Sequence, residues 1–305
     1  MTLNGAVKAQ ELELVGMLYY HQPFGGSSQQ QNKSKVGVAF NYQDVSTSAL
    51  IKNHFSHINL LEQKLPPLFN FEMGGKGVEY SKVFNLFSNP IVFPLLGDFT
   101  KYLHGVITFK DNSKNKLAVC DVGAGTGYFS KTLYDANPTI ELTLIEPSLD
   151  MLKILKKRYK DNNVCIVNKT WDKAVGEIDK QDIFIFQRSL YAFSGNIEDY
   201  KLIIQQVYSK LNKEGIVAVF EFDHKMDIKA MLQHLDQNQD NLQYDERPYQ
   251  ETRAIFAEHL ERFNQGVDNG EFTLFSQKKM QEVFEAGGFI PVFRKDNYCF
   301  FKKIW

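Results

Sequence analysis

Three glycines on alternate positions, Gly123, Gly125 and Gly127, follow Asp121 at the end of a short apolar run. Glycine lets a backbone turn sharply and approach a ligand with no Cβ in the way. A carboxylate, Glu146, closes the next apolar run, nineteen residues after Gly127. An acid at that place can accept hydrogen bonds from both hydroxyls of a ribose, which points to a nucleotide-type cofactor. The dinucleotide pattern G-x-G-x-x-G is not met, because the sixth position counted from Gly123 is Tyr128.

Such a loop and acid meet only if strands and helices alternate around them. Residues 117–122 form a run too short for a helix and end in glycines, so they read as a buried strand. The patterns predict a helix over 126–134, a strand over 141–146, and a helix capped by Ser148 with Leu149, Leu152 and Leu155 on one side. Further strands are expected at 163–168, 182–187 and 216–222, with a helix over 198–211 between the last two. A helix over 276–286 stops at Gly287-Gly288, and two short strands, 290–293 and 298–302, lie close enough for a hairpin. This order predicts a parallel sheet covered on both faces by right-handed crossovers, with an antiparallel element at one edge. The polar stretch 110–116 marks a boundary. Residues 1–111 form a mostly helical N-terminal block, 112–305 the sheet domain, and 224–275 a helical insert. Blocks added to such a sheet are expected to build a pocket over the carboxyl ends of its strands. The Gly-, Ser- and Gln-rich stretch 23–35 reads as a mobile loop.

Composition narrows the function classes. At 43% hydrophobic and 23% charged residues, the chain is that of an ordinary globular protein, and no apolar run is long enough to span a bilayer. Thirty-five basic against 36 acidic side chains leave a net charge of -1, which speaks against a nucleic-acid partner held through phosphates. The N-terminus lacks a basic segment followed by an apolar one, and the three cysteines are far apart without a CxxC pair. A cytoplasmic protein with reduced thiols is expected, Cys120 and Cys165 lying in buried strands. The 25 Phe and 14 Tyr suit either core packing or an apolar pocket.

The sequence from Asp121 to Gly127 resembles motif I of the class I S-adenosylmethionine-dependent methyltransferases. The resemblance runs from about residue 117 to 222 and resumes at 276. Glu146-Pro147-Ser148 looks like that family's second motif, residues 186–193 like the segment after its fourth strand, and Leu211-Asn-Lys-Glu-Gly215 like its L-x-P-G-G turn. Ala286-Gly-Gly-Phe289 is similar to its A-G-F ending. The resemblance implies an α/β, Rossmann-like fold with a seven-stranded, mostly parallel sheet, plus the N-terminal helical extension and helical insert as a substrate cap. It implies S-adenosylmethionine as cofactor and S-adenosylhomocysteine as product. Gly123, Gly125 and Gly127 would lie against the methionyl and ribosyl part, Asp121 near the methionine amino group, and Glu146 at the ribose, with Pro147 and Ser148 beside the adenine. Either Thr170 or Asp172 would serve the adenine amino group. Trp171 would stack on adenine or anchor the core, and Gln187 would lie near the sulfonium.

Displacement at a sulfonium needs mainly positioning and exclusion of water. A carboxylate acceptor is already ionised at pH 7, whereas a phenol or an activated carbon benefits from a base. His224, at the end of the fifth strand, is the candidate base or else a solvated side chain, and Tyr191 is a candidate pocket residue. Tyr19, Tyr20 and His21 are candidates to fold over the site. Arg188 and Arg247 would line a pocket for an apolar molecule bearing an acid or phosphate, with Arg253 at the rim. His54 and His57 lack a third ligand, and Asp236–Asp240 reads as a solvated helix end, so no metal site is expected. The reading is a methyltransferase acting on a small, largely apolar or aromatic metabolite of the secondary-metabolism type, first at oxygen. Alternatives are carbon or nitrogen acceptors, prenyl-type molecules included, and a non-catalytic cofactor-binding protein. A nicotinamide-linked oxidoreductase is disfavoured by Tyr128.

Overall fold

The computed structural model describes residues 85–86, 88–90, 92–111, 116–194, 196–241 and 249–303. All of them belong to one of the chain's two compact units, Leu60–Trp305. Tyr19, Tyr20, His21, the loop 23–35, His54, His57 and Arg247 lie outside the described residues.

Seven strands form one sheet in the order β3-β2-β1-β4-β5-β7-β6. β1 (Ala118–Val122), β2 (Glu141–Ile145), β3 (Cys165–Val167), β4 (Gln181–Gln187) and β5 (Leu211–Phe220) run parallel. β6 (Phe289–Lys295) and β7 (Tyr298–Lys303) form the expected hairpin, with β7 antiparallel to β5. The strand order reverses between β1 and β4, which opens a crevice at their carboxyl ends.

Side chains alternate across the sheet with the period of two that a strand dictates. On one face Phe99 packs against Phe129, Phe220 and Phe300 at centroid distances of 5.8, 5.4 and 5.7 Å. On the other, Val217, Val219, Cys299 and Phe301 join Ile203, Ile204 and Phe284 in a buried cluster. Helix α1 (Pro94–Asp111) supplies Phe99. Its buried Leu96, Phe99, Leu103, Val106 and Ile107 follow helical spacing, so this part of the N-terminal block covers the sheet. Helix α2 (Tyr128–Ala136) begins two residues later than expected, because Gly127 at its N-cap is left-handed at φ 70°. Helix α3 (Leu149–Arg158) is capped by Ser148, whose hydroxyl accepts from the Met151 N–H at 3.4 Å. Asp150 in its first turn and Lys156, Lys157 and Arg158 in its last suit the helix dipole. Short α4 (Trp171–Ala174) follows β3, and α5 (Ile197–Lys210) crosses from β4 to β5.

β5 starts five residues before the expected 216. Gln181 pairs with Leu211 but Ile183 with Ile216, so residues 212–215 form a bulge, with Glu214 left-handed at φ 63°. The turn-like Lys213-Glu-Gly215 is thus carried inside the strand. Cys165 is exposed, not buried as expected, because β3 is a three-residue edge strand. The insert supplies α6 (Ile228–Gln237) and α7 (Tyr249–Asp268), and α8 (Gln277–Ala286) precedes the hairpin. Leu235 of α6 and Phe256, Leu260 and Phe263 of α7 cluster with Tyr191, Phe222, Leu86 and Val92. The insert therefore sits over the carboxyl edge of β4 and β5. None of the helices among the described residues is long and apolar enough to cross a membrane.

Candidate functional site

A cleft of about 1170 Å³, counted with its open mouth, lies at the carboxyl ends of β1, β2 and β4. The loop after β1 forms one wall. The N–H groups of Gly123 and Ala124 both donate to the Ile145 carbonyl, at 2.9 and 3.0 Å, and fold the loop back towards β2. Gly123, Gly125 and Gly127 are all left-handed, with φ of 78°, 56° and 70°, where a side chain is strained. At Gly123 a Cβ would come within 2.5 Å of Ser189 Cβ, and at Gly127 it would strike Leu155 and Tyr159. At Gly125 it would meet nothing within 4 Å. Two glycines are therefore needed for packing. The middle one leaves a surface open beside the cleft.

Glu146 is bound to this loop. Its Oε2 accepts from the Gly125 N–H at 2.7 Å, and its Oε1 from the Ser148 N–H at 2.8 Å. Burial pushes its carboxyl up to about 7, against those two hydrogen bonds, which hold it down. Asp121 sits beneath the loop, also pushed up to about 7 by burial and held back by the hydroxyl of Ser130. Ser130 donates to Asp121 Oδ2, while Oδ1 is buried without a partner. Gly123, Gly125, Glu146, Pro147 and Ser148 line the cleft. Asp121 and Gly127 support the loop from behind it.

The far side is built by β3 and β4. Thr170 and Trp171 line the cleft, but Asp172 does not. Trp171 is 1% exposed, donates to Gln206 at 2.8 Å and packs edge-on against Phe184 at 5.9 Å, so most of its ring is committed to the core. Gln187, Arg188 and Tyr191 follow in the wall. Tyr191 is 5% exposed and meets Phe222, Phe263 and Phe272 edge-on at 5.1–5.3 Å. Its phenol is pushed up by burial and by Glu221, so it stays protonated at neutral pH. Glu221 itself is wholly buried. One of its oxygens accepts from the Ser189 and Leu190 N–H groups at 2.8 and 2.5 Å, and burial pushes it up to about 8.

His224 is not in the cleft. Its side chain is 80% exposed and pairs with Asp223 at 2.5 Å, because the chain turns out to solvent once Phe222 is buried. The histidine that lines the cleft is His259 of α7, and sequence reasoning missed it. Burial and nearby Arg262 push its imidazole down to about 4, so it is neutral at pH 7. Its signal was available: Thr252, Phe256, His259, Leu260 and Phe263 form the buried stripe of α7. Arg253 points elsewhere, pairing with Asp236 at 2.7 Å. That pair uses the first acid of the Asp236–Asp240 stretch, and the described residues contain no cluster able to hold a metal. Before α1, Ser88 lines the cleft, and Asn85 Oδ1 accepts from the Thr126 hydroxyl at 2.8 Å.

A mostly parallel sheet with its order reversed at β1 and β4, a left-handed glycine loop and a buried acid at the end of β2 define an α/β protein with a cleft at the switch in strand order. Residues 113–288, more than half of the chain, match the family described as methyltransferase domain, and the chain belongs to that family. A curated relative, malonyl-[acyl-carrier protein] O-methyltransferase of Acetivibrio thermocellus, is 28% identical over 114 residues. The match covers 37% of this chain and 38% of that protein. Solved structures with a similar chain course include N-methyltransferase NodS of Bradyrhizobium japonicum with S-adenosyl-L-homocysteine. It is 11% identical with a TM-score of 0.43, the match covering 74% of this chain and 98% of that one. An O-methyltransferase family 2 protein of Planctomyces limnophilus, in complex with apigenin, is 11% identical at a TM-score of 0.41, covering 61% and 50%. Likeness at that level bears on neither substrate nor chemistry.

Proposed function

We propose that this chain transfers a methyl group from S-adenosylmethionine to a small, largely apolar molecule, with oxygen as the acceptor atom. The observation that carries the reading is the pairing of the left-handed loop with Glu146, whose carboxylate sits 2.7 Å from the Gly125 N–H. The residues fit the cofactor. Gly125 presents open backbone, Glu146 offers acceptors for the ribose hydroxyls, and the buried, unpartnered Oδ1 of Asp121 suits a methionine amino group, directly or through water. Thr170 and Pro147 would border the adenine, with Gln187 near the sulfur.

When bound, S-adenosylmethionine supplies a methyl group already activated on a sulfonium. The protein's own part is then to align the acceptor and keep water out. Tyr191, Phe222 and Phe263 suit that task, as a wall of apolar rings beside Gln187. Oxygen is favoured by the sequence relative, whose name describes an O-methyltransferase.

Calorimetric titration with S-adenosylhomocysteine tests the cofactor half, with micromolar-range binding expected. Release of S-adenosylhomocysteine from S-adenosylmethionine across a panel of small phenols, carboxylic acids and amines tests the second half, with oxygen acceptors expected to react. Absence of binding would sink the reading, and turnover confined to amines would sink its oxygen clause.

A further inference from the structure

Two residues past Gln187, Ser189 lines the cleft and is 7% exposed. Its Oγ is buried without a hydrogen-bond partner. A buried hydroxyl in that state has lost its bonds to water and gained none, and native structures hold few such groups. Serine ordinarily finds a partner locally, among backbone groups a few residues away. Ser189 stands at the N-cap of the short turn Leu190–Ala192, where such a bond is usual, yet its side chain makes no cap bond there. The N–H groups at the start of this turn have another acceptor. Those of Ser189 and Leu190 donate to Glu221 Oε1, at 2.8 and 2.5 Å. A buried carboxylate therefore holds the turn, and the serine hydroxyl takes no part in it.

Packing fixes where this hydroxyl sits. Ser189 Cβ and Oγ lie 2.5 and 3.3 Å from where a Cβ on Gly123 would stand, so the serine rests on the first glycine of the loop. Gly123 follows β1 and Ser189 follows β4, the two strands between which the sheet order reverses. Ligands of open α/β sheets settle at that switch. Glu146 stands on the other flank of β1, just past the end of β2. A cofactor with its ribose at Glu146 and its methionyl part against Gly123 has that part beside Ser189. The amino-acid end of the methionyl part carries an ammonium and a carboxylate. A serine hydroxyl both donates and accepts, and hydrogen bonds to charged groups are the stronger kind.

We propose that Ser189 is a cofactor-binding residue whose hydroxyl hydrogen-bonds the amino-acid end of S-adenosylmethionine. The identity of the ligand rests on the methyl-transfer reading; the place of the bond rests on the unpartnered oxygen beside Gly123.

Ser189→Ala removes the hydroxyl and keeps the Cβ against Gly123. Calorimetry on parent and variant compares S-adenosylhomocysteine with methylthioadenosine, which shares the nucleoside and the sulfur but lacks the amino-acid end. S-adenosylhomocysteine should bind the variant about tenfold more weakly, and methylthioadenosine should bind both proteins alike. Urea unfolding of the unliganded proteins gives a second readout. With no partner for the hydroxyl inside the protein, the midpoint of Ser189→Ala should equal or exceed that of the parent, whereas loss of a structural bond would lower it. Unchanged S-adenosylhomocysteine affinity in the variant, an equal loss for both ligands, or a lowered midpoint would each overturn the proposal and leave the methyl-transfer reading standing. A parent protein that binds neither ligand would instead remove that reading, and the role of Ser189 with it.

Discussion

Gly125→Ala separates a packing role from a ligand role more cleanly than any other substitution in the loop. The new Cβ meets no atom within 4 Å, so its stability cost is the left-handed strain alone, about 1–2 kcal/mol. At Gly127 the same change adds a methyl group against Leu155 and Tyr159, on a backbone at φ 70°. Overpacking costs about 1–3 kcal/mol, so Gly127→Ala should lose about 2–5 kcal/mol. Binding should rank the other way. The open space at Gly125 is where the cofactor's methionyl and ribosyl part would rest, and a methyl group there displaces it. Gly125→Ala should weaken S-adenosylhomocysteine at least tenfold, or about 1.4 kcal/mol, in protein that is still folded. Urea unfolding gives the stabilities, and calorimetry on the folded variant gives the affinity. If Gly125→Ala bound S-adenosylhomocysteine like the parent, the assignment of this loop to a cofactor would be wrong.

Two further outcomes follow from the same geometry. Asp121, Glu146 and Glu221 are pushed up by burial to about 7, 7 and 8, so the folded state holds protons that the unfolded chain has released. Their contribution is complete below pH ~4 and is lost as pH rises through 7–8, by up to ~1.4 kcal/mol per group per pH unit. His259, pushed down to about 4, acts in the opposite sense only up to its ordinary value near 6.5. Urea midpoints of the unliganded protein should therefore fall between pH 6.5 and 8, and a rise across that window would contradict the burial of these acids. In the core, Phe284 is fully buried and stacks on Phe301 at 4.1 Å. Phe284→Ala should cost about 3–5 kcal/mol while leaving S-adenosylhomocysteine affinity intact at a denaturant-free temperature where the variant is folded. A loss under 1 kcal/mol would mean that the two faces of the sheet are not packed as described.

The loop and its acid could be read from sequence because their signal is local. Glycines at alternate positions, short apolar runs and an acid at a strand end are each set by backbone conformation over a few residues. The same locality made the alternation of strands and helices, the hairpin and the Ser148 cap legible. It misplaced the base. His224 is next to Glu221 and Phe222 in the chain, but a strand end can turn either inward or outward, and here it turns outward. His259 is 38 residues beyond Glu221 and reaches the cleft only because the buried stripe of α7 packs on Tyr191 and Phe222. Burial of acids, too, is a property of what lies above and below a strand. Asp121 pairs with Leu144 across β1 and β2, Glu146 follows just past the end of β2, and the shift of both acids towards 7 comes from desolvation that no spacing encodes.

Sequence by itself determined where the backbone must bend and which strand ends carry a carboxylate, since those follow from short-range conformational preference. Only the tertiary structure decided which side chains from distant segments share the cleft: Ser88 before α1 and His259 on the insert. Long-range packing of apolar stripes brings these together, and the free energy of that packing depends on surfaces that are adjacent in space and not in the chain.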